Sequence, residues 1–363
     1  MRQLVCLLFF AGCLKAFSRD VLTEATDFLQ VIPDPRTAGI GYCGVALTDL
    51  GPNTWFNPSC LAYSPRPLAA FTAGDCSYWI TWPVAFARAA ASIPLRSGLV
   101  VGASATYTQV SFLSIGDSSI FGDHPSELVS ALSAGYRLSS RLALGVSVKP
   151  MLSHYWVYQP ENAAYRGVAV SAAIDAGTQY QPWSWLGTGL SLTNLGPALA
   201  YGDSEQVALP ITARVGCQLK PRIPGPVALS VLFDVWRNLE EHVWRDTLTP
   251  LISACDQFSK GIGLELRFAG LASIRAGYVE DLSFPRGGVI VRRNFPGGGT
   301  ELWEISMLRY LFRRPEGFDL VDGIGLTWGV GLEYRGIAVD LGYDTRRFLL
   351  RNSGYRLQLV ARF

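Results

Sequence analysis

Apolar residues alternate with small, polar or charged residues over most of the chain after residue 66. The stretch LALGVSVK at residues 142–149 is one example, and LTWGVGLEY at residues 326–334 is another. A period of two places successive side chains on opposite faces of a β-strand. Each such segment is therefore predicted to be a strand with one apolar face and one face of small or polar residues.

Counting these segments predicts an all-β chain of about fourteen strands, an even number that is typical of single-chain outer-membrane barrels. The predicted strands are residues 67–75, 83–95, 97–110, 125–138, 140–157, 164–180, 184–199, 207–220, 225–236, 258–269, 271–282, 322–334, 336–346 and 353–363.

Composition favours a membrane setting for these strands. The chain has 363 residues, of which 49% are hydrophobic and 17% charged, with a net charge of +2 and a mean hydropathy of +0.22. So small a net charge gives no electrostatic case for nucleic acid as a partner. After the N-terminus there is no apolar run of about 18 residues, which a spanning helix would need. A closed transmembrane β-barrel is then the expected fold, because its strands satisfy one another's backbone groups.

The lengths of the predicted connections alternate and predict an orientation. Tight connections lie around Arg96, Ser139, residues 181–183, Gly270 and Arg335-Gly336. Longer ones, which occupy the intervening positions, are residues 111–124, 158–163, 200–206, 237–257, 283–321 and 347–352. Outer-membrane barrels have short periplasmic turns and long outer loops. The pattern predicts a protein of the cell outer membrane with both termini in the periplasm.

The N-terminus has the features of an export signal. Arg2 precedes a short apolar core at residues 4–10, and Ala16-Phe17-Ser18 fits a small-x-small cleavage site. A lipoprotein signal ending at Cys13 is the alternative. We therefore predict a signal peptide at residues 1–18, a plug-like segment at 19–66 and the outer-membrane β-barrel at 67–363.

Several stretches resemble one family. Residues 57–62, Asn-Pro-Ser-Cys-Leu-Ala, are similar to the Asn-Pro-Ala-Gly-Leu-Ala element before strand one in the FadL superfamily of outer-membrane long-chain fatty-acid transporters. Residues 35–51 resemble the Gly-rich segment that precedes this element, and residues 172–182 and 191–219 are similar to its PorV/PorQ branch. Ser59-Cys60 stand where the family has Ala-Gly.

The resemblance implies that this element forms a plug motif of Asn57, Pro58 and Leu61, together with Gly39, Gly41 and Gly44. These three glycines also match G-x-G-x-x-G. A dinucleotide site would need a strand before them and a helix after them, whereas Pro33-Asp34-Pro35 precedes them. A Gly-rich backbone in a compact plug is the better interpretation.

Charged residues lie on the small, polar face of the predicted strands. They are Lys149, Asp175, Arg214, Asp234, Glu265, Arg267, Arg275, Glu333, Asp340 and Arg356. If that face lines the lumen, these side chains must be paired or hydrated, because an unpaired charge away from water is costly. Two interpretations remain open: the charges tie the plug to the wall, or they contact a ligand directly.

The longest predicted outer loop contains an amphipathic stretch, TELWEISMLRYLFRR at residues 300–314. Its apolar spacing predicts a helix. This helix would either cap the mouth of the barrel or offer a hydrophobic surface for ligand capture, as outer-loop helices of FadL-like proteins do. The surface would comprise Leu302, Trp303, Ile305, Leu308, Leu311 and Phe312.

No pattern of catalytic or metal-binding residues stands out. The three histidines, His124, His154 and His242, are dispersed, and the five cysteines after the predicted signal show no C-x-x-C spacing. No nucleophile motif accompanies them. The sequence thus predicts neither an enzyme nor a cofactor.

The chain ends on the strand-like stretch SGYRLQLVARF, with Tyr355, Leu357 and Leu359 on one face and Phe363 last. This ending resembles the C-terminal assembly signal of bacterial outer-membrane proteins, which the barrel-assembly machinery reads. The expected partners are that machinery during biogenesis, outer-membrane lipid and a hydrophobic small molecule.

The family resemblance implies uptake or diffusion of long-chain fatty acids or other small hydrophobic molecules. The alternative is a PorV-like protein-secretion component that docks exported cargo. A general porin is disfavoured, because a plug would fill its lumen.

Overall fold

A computed structural model describes residues 28–29, 31–79, 82–95, 98–110, 126–159, 162–201, 205–239, 258–281, 286–294, 300–305, 310, 318–344 and 354–363. The strands in this part of the chain are β1 (Leu68–Trp79), β2 (Trp82–Pro94), β3 (Leu99–Val110), β4 (Ser126–Arg137), β5 (Leu142–Gln159), β6 (Asn162–Trp183), β7 (Leu186–Leu195), β8 (Leu199–Tyr201), β9 (Glu205–Val207), β10 (Thr212–Leu219), β11 (Val227–Asn238), β12 (Ser259–Phe268), β13 (Ala272–Asp281), β14 (Arg286–Asn294), β15 (Thr300–Ile305), β16 (Phe318–Ile324), β17 (Leu326–Tyr334), β18 (Ile337–Asp344) and β19 (Gly354–Arg362).

Fourteen of these strands form a closed antiparallel barrel, which confirms the predicted fold class. Neighbouring strands pair in chain order from β1 to β7, then β7 pairs with β10 and β13 with β17. The first and last strands close the sheet, with Leu68 opposite Arg362 and Gly74 opposite Arg356. Closure leaves no open edge, so every barrel strand has a partner on both sides.

The two faces of the wall are inverted relative to a water-soluble protein. On β6, Val168, Val170 and Ile174 are 52–73% exposed on the outside, whereas Ser171 and Asp175 are buried inside. The same alternation runs along β4, β12 and β19. An apolar outer surface of this extent suits lipid rather than water. None of the described helices is long and apolar enough to cross a membrane.

The ends of the barrel differ, and we call the end that carries the tight turns the short-turn end and the opposite one the long-loop end. At the short-turn end, Arg335 and Gly336 join β17 to β18 with φ angles of 49° and 85°. Two consecutive positive φ values are the signature of a tight hairpin turn that follows the strand twist, and glycine adopts the second without strain.

Residues 31–66, which we call the lumenal segment, lie inside the barrel, and most of them are buried. They include a one-turn helix, α1 (Pro35–Gly39), and a 3₁₀ helix at Pro58–Tyr63. Proline opens both helices, and the side chains of Asp34 and Asn57 cap them by accepting hydrogen bonds from Thr37 N and Ser59 N.

Several predicted boundaries were wrong. The predicted loop 283–321 contains β14, β15 and β16, which form an antiparallel extension, β14 pairing with both others. The predicted strand 322–334 is split at Gly325, whose φ is +90°. The predicted loop 158–163 is mostly strand, because β5 and β6 extend to Gln159 and from Asn162. The predicted outer loop 200–206 carries the β8–β9 hairpin.

The predicted helix at residues 300–314 is wrong over Thr300–Ile305, which is β15 and pairs residue by residue with β14. Backbone pairing with a neighbouring strand outweighs the helical spacing of a short apolar pattern. Leu302, Trp303 and Ile305 therefore lie on a strand. Leu308, Leu311 and Phe312 lie outside the described residues.

Candidate functional site

Glycines of the wall form the contact surface for the lumenal segment. A side chain at any of six of them would collide with backbone or side-chain atoms of that segment, since an ideal Cβ would lie 2.0–2.3 Å from an atom there. The six are Gly145, Gly177, Gly189, Gly263, Gly277 and Gly342. They come from β5, β6, β7, β12, β13 and β18, so the segment is held from most sides of the barrel. The abundance of glycine on the inner face thus has a steric cause.

Asn57 joins the lumenal segment to the wall at β6. Its Nδ2 donates to Val45 O at 2.8 Å and to Thr178 O of β6 at 3.1 Å. Its Oδ1 accepts from Ser59 N at 3.1 Å and Ser59 Oγ at 2.7 Å. The side chain is fully buried, and its amide is satisfied only because wall and segment approach closely at Gly177. Replacing it would leave buried polar groups without partners.

Asp234 of β11 binds the Gly-rich turn of the segment. Its Oδ2 accepts hydrogen bonds from Gly44 N at 2.8 Å and Val45 N at 3.1 Å. Arg214 of β10 lies 3.5 Å from the same carboxylate oxygen and donates to Tyr42 O at 3.0 Å. The pair thus satisfies three backbone groups within residues 42–45, which lie outside any helix or strand.

A network of three cations and three carboxylates lies between the segment and the strands β12, β13 and β18. Arg36 makes a bidentate pair with Glu265 at 2.9 and 2.7 Å. Arg275 donates to Glu265 at 2.8 Å and to Asp340 at 2.5 Å. Asp49 pairs with Arg36 at 3.0 Å. Geometry of this kind, with fork-shaped guanidiniums on shared carboxylates, makes buried charges tolerable.

Arg267 completes this network toward the short-turn end. It donates to Asp49 at 2.8 Å, and its Nε lies 3.4 Å from Glu265. Asp49 is partly exposed, and the guanidiniums of Arg36 and Arg267 lower the pKa of its carboxyl well below the usual value. Asp49 is therefore ionised at any physiological pH and keeps the network neutral.

The segment is also tied to β18 and β19, next to this network. The hydroxyl of Tyr42 donates to Asp344, and Arg356 Nε donates to Ile32 O at 2.5 Å. Arg356 also lies 3.7 Å from Asp344. Both wall side chains are buried, so the C-terminal strand contacts the N-terminal part of the chain inside the lumen.

The two buried cysteine thiols of the lumenal segment are expected to be unreactive. Cys43 and Cys60 are fully buried and unpaired. Burial raises the pKa of Cys60 to about 12 and raises that of Cys43 well above its usual value. Since the thiolate is the reactive form, neither is suited to act as a nucleophile. Among the described residues, no group of His, Cys, Asp and Glu could hold a metal ion.

A cavity of about 60 Å³ lies between the segment and the wall, nearer the long-loop end. Half of the residues that line it are apolar or aromatic, and the other half are polar or charged. The lining residues are Leu29, Ile32, Tyr42, Trp55, Phe56, Lys149, Thr193, Asn194, Thr212, Arg214, Trp236 and Asn238. An apolar cavity of about 150 Å³ holds benzene. This one is too small for such a ring until a side chain moves.

The cations of the cavity are already engaged. Lys149 pairs with Asp175 at 2.8 Å and donates to Asn194 Oδ1. The guanidinium of Arg214 stacks on Trp236 and Phe56, 4.0 and 4.6 Å from their ring centroids. Such cation–π contacts add to the ion pairs at a desolvated site.

An apolar cluster adjoins the cavity and was not foreseen from the sequence. The β8–β9 hairpin folds inward, and Tyr201 donates to Ser153 Oγ of β5 at 2.6 Å. The cluster comprises Phe28, Leu29, Val129, Met151, Ala169, Ala173, Leu199, Tyr201, Val207 and Leu209. The available signal was the run of inward-facing apolar residues at Met151, Ala169 and Ala173, which interrupts the polar face of β5 and β6.

Two solved structures with a similar barrel are a toluene transporter and a monoaromatic hydrocarbon channel. The crystal structure of the toluene transporter TodX from Pseudomonas putida superposes with a TM-score of 0.50 at 12% identity, covering 95% of this chain and 98% of TodX. The CymD monoaromatic hydrocarbon channel superposes with a TM-score of 0.53 at 11% identity, covering 91% and 97%.

The chain is therefore similar in fold to both of these proteins. A FadL homologue from Pseudomonas aeruginosa has a TM-score of 0.47 at 10% identity, over 91% of this chain and 98% of that one. No family model matches the sequence, and no curated protein matches it. The similarity to TodX and CymD confirms the fold that the sequence resemblance implied, whereas the likeness to the PorV/PorQ branch stays a prediction.

The residues of the FadL-like motif all lie in the lumenal segment. Pro58 and Leu61 belong to the 3₁₀ helix that Asn57 caps. Gly39 ends α1, Gly41 N donates to Thr327 Oγ1 at 2.9 Å, and Gly44 N donates to Asp234. The interior of the barrel therefore surrounds this motif.

The charged residues divide into an interior group and a rim pair. The interior group is buried and paired, and comprises Lys149, Asp175, Arg214, Asp234, Glu265, Arg275, Asp340 and Arg356. At the short-turn end, Glu333 pairs with Arg362, and both are partly exposed. On β19, Tyr355, Leu357 and Leu359 face outward, and Phe363 follows with 74% exposure.

Proposed function

We propose that this barrel takes up hydrophobic small molecules across the outer membrane through its lumen, with long-chain fatty acids as a substrate class. The observation that carries the proposal is an amphipathic cavity beside an apolar cluster, inside a barrel with the fold of TodX and CymD. Ligand sites are typically apolar cavities with a few placed polar groups.

The chemistry of the cavity fits a ligand with an apolar body. Trp55, Phe56 and Trp236 offer aromatic surface, and Leu29 links the cavity to the apolar cluster. An apolar molecule that entered here would exchange water for these side chains, which is favourable by about 25 cal/mol per Å² of buried surface. The side chains of the apolar cluster fill the volume that a long alkyl chain of a ligand would need.

The lumenal segment fills the barrel, so passage requires part of it to shift. Its contacts with the wall are strongest around residues 34–47, where the ion pairs and the glycine contacts concentrate. Residues 28–32 and the β8–β9 hairpin contribute mainly apolar contacts. We therefore expect displacement to begin at the long-loop end rather than at the charged network.

We place the protein in the outer membrane with both termini periplasmic, after export under the signal at residues 1–18. The exposed apolar face of β19 and the terminal Phe363 support this placement, because they fit a barrel-assembly signal. The outward apolar band supports membrane lipid as a partner.

Uptake by reconstituted vesicles tests the proposal. Vesicles that contain the protein should accumulate labelled hexadecanoate faster than empty vesicles, and lipid extracted from the purified protein should contain a hydrophobic compound by mass spectrometry. The substitution Ile32→Trp fills the cavity and should slow uptake. Ile223→Trp, on an exposed turn, is the matched control and should not. Wild-type uptake equal to that of empty vesicles would refute the proposal.

A further inference from the structure

Several cations at the short-turn end have no carboxylate partner among the residues that the structure describes. They form what we call the cationic ring, which comprises Arg66, Arg137, Arg141, Lys220 and Arg222. At the same end, Arg267 pairs with Asp49 and Arg362 pairs with Glu333, so those charges are compensated. The charges of the cationic ring are not, and they give this end of the barrel a positive potential.

The connections at this end supply no acidic residue that could compensate the ring. The sequence contains no Asp or Glu at residues 138–141, 181–185, 220–226, 269–271 and 335–336. Partial burial and the guanidiniums of Arg36 and Arg267 lower the pKa of Lys220, although the carboxylate of Asp49 opposes this change. The positive potential at the short-turn end is therefore not cancelled locally.

The cationic ring spans the whole mouth of the barrel. Arg66 precedes β1 and Lys220 follows β10, and β10 is seven strands from β1 in either direction around the sheet. Strands about 4.8 Å apart and tilted by about 40° give a fourteen-stranded barrel a circumference of about 90 Å and a mouth about 28 Å across. A single small anion cannot bridge that distance, whereas the surface of a folded protein can.

The ring faces the mouth rather than the surrounding lipid. The guanidinium carbon of Arg137 lies 4.7 Å from the ring centroid of Tyr63 in the lumenal segment, and Lys220 interacts electrostatically with Asp49 of the same segment. The outward side chains at this end are apolar or aromatic and are 44–63% exposed; they include Tyr136, Leu138, Trp183, Trp185 and Tyr334. Such side chains form the girdle at a membrane interface. Lipid headgroups would contact this girdle, which lies outside the cationic ring.

We propose that the cationic ring binds an acidic periplasmic protein, which docks across the mouth of the barrel. This inference rests on the proposed placement of the short-turn end in the periplasm, and it does not depend on uptake. Carboxylates spread over a folded surface can reach cations on opposite sides of the mouth. Bidentate pairs between arginine and carboxylate would fix the orientation of the partner, and complementary charge would steer its association.

Binding of labelled polyglutamate to the purified protein tests the charge of the site. A chain of about 20 residues reaches across the mouth, since an extended chain spans about 3.3 Å per residue. Its affinity for the protein in phosphatidylcholine nanodiscs is measured by fluorescence anisotropy, and it should fall with added salt. Both ends of the barrel are accessible in a nanodisc, so the result does not depend on orientation or on uptake.

A pair of charge-reversal variants locates the binding. Arg141→Glu/Arg222→Glu changes the ring by four units of charge at exposed positions and should weaken polyglutamate binding about 30-fold, at about two- to threefold for each exposed ion pair. Arg292→Glu/Arg293→Glu, on β14 in the extension beyond the long-loop end, makes the same change and should leave the affinity unchanged. Equal affinities of the wild type and the ring variant, or equal losses in the two variants, would overturn the proposal.

Thermal unfolding separates a protein partner from anionic lipid. Because the ring lies inside the girdle, any stabilisation by phosphatidylglycerol in the nanodisc should be the same for the wild type and for Arg141→Glu/Arg222→Glu. A stabilisation that this variant loses would assign the ring to lipid headgroups and overturn the proposal. If the variant fails to fold, Arg141→Gln/Arg222→Gln replaces it in both assays, and the expected loss of polyglutamate affinity is then about 5-fold.

Photo-crosslinking in the native cells tests the class of partner. The photoreactive residue p-benzoylphenylalanine in place of the exposed Ser140, beside Arg141, should form an adduct with a protein that mass spectrometry identifies as acidic. The adduct should disappear when Arg141→Glu/Arg222→Glu is added, and the same photoreactive residue at Asn294, which ends β14, should not form it. No adduct at residue 140, or one that persists in the ring variant, would overturn the proposal. Vesicles without uptake would refute the proposed function and leave this result unaffected.

Discussion

Gly189 and Gly187 lie on the same strand and both face the lumen, yet the space available for a side chain differs between them. An ideal Cβ at Gly189 would lie 2.1 Å from Val45 O, whereas at Gly187 its nearest neighbour, Ala46 O, would be 3.7 Å away. The first distance is a collision with backbone and the second is an ordinary contact. The substitutions Gly189→Ala and Gly187→Ala therefore form a matched pair.

The cost of Gly189→Ala follows from what Val45 O does. Real Cβ atoms essentially never lie within 3.0 Å of another heavy atom, so this carbonyl must move by at least 0.9 Å, the difference between 3.0 and 2.1 Å. It accepts hydrogen bonds from Asn57 at 2.8 Å and Gln179 at 3.1 Å. Losing or weakening both, with overpacking, costs about 3 kcal/mol.

Hydrogen exchange of the lumenal segment measures this cost. At about 1.4 kcal/mol per tenfold change, Gly189→Ala should speed exchange of amides 43–47 by about 100-fold. Gly187→Ala should leave it unchanged. Both variants should still form a heat-modifiable barrel, because the backbone pairing of β7 is intact. Equal protection of the segment in the two variants would refute the idea that wall glycines position it.

Three further predictions concern the ion pairs, the thiols and the C-terminus. Glu265→Gln leaves the interior network with three cations and two carboxylates and should cost about 3–5 kcal/mol in denaturant unfolding, whereas the exposed rim variant Glu333→Gln should cost at most about 1 kcal/mol. A comparable effect of the two would contradict the assigned burial. Burial raises the pKa of Cys60 to about 12 and raises that of Cys43. Neither thiol should therefore react with iodoacetamide at about pH 8 in the folded barrel, whereas both should react in denaturant. Labelling of either cysteine in the native state, detected by peptide mass spectrometry, would contradict their burial. Deleting Phe363, which is exposed and whose N–H donates to Pro67 O at 3.0 Å, should reduce assembled barrel but not export, and normal levels of heat-modifiable protein would count against an assembly signal.

The barrel could be predicted from the sequence because its determinants are local. An alternating strand such as β4 or β19 shows its two faces in its own residues, and lipid makes one of them uniformly apolar. The predicted element boundaries were wrong where pairing between strands that are distant in sequence determines the structure. Residues 300–305 have helical spacing, yet they pair with β14.

The interior could be predicted only in part. The sequence shows that Glu265 and Arg275 face the same way, but not that Arg36 from the lumenal segment reaches them. That contact spans 229 residues along the chain. Likewise, glycine on an inner face is visible in the sequence, whereas the backbone that Gly189 accommodates is a property of the tertiary structure.

If hydrophobic molecules pass through the lumen only when the lumenal segment shifts, a reversible covalent link between the segment and the wall should stop their passage. Thr54 Oγ1 and Ser133 Oγ of β4 lie 3.2 Å apart and are buried, so cysteines at both positions are close enough for a disulfide. In a background without native cysteines, Thr54→Cys/Ser133→Cys vesicles should take up labelled hexadecanoate when reduced and lose that uptake when oxidised. Equal uptake in the reduced and oxidised states, above that of empty vesicles, would show that transport does not require the lumenal segment to move.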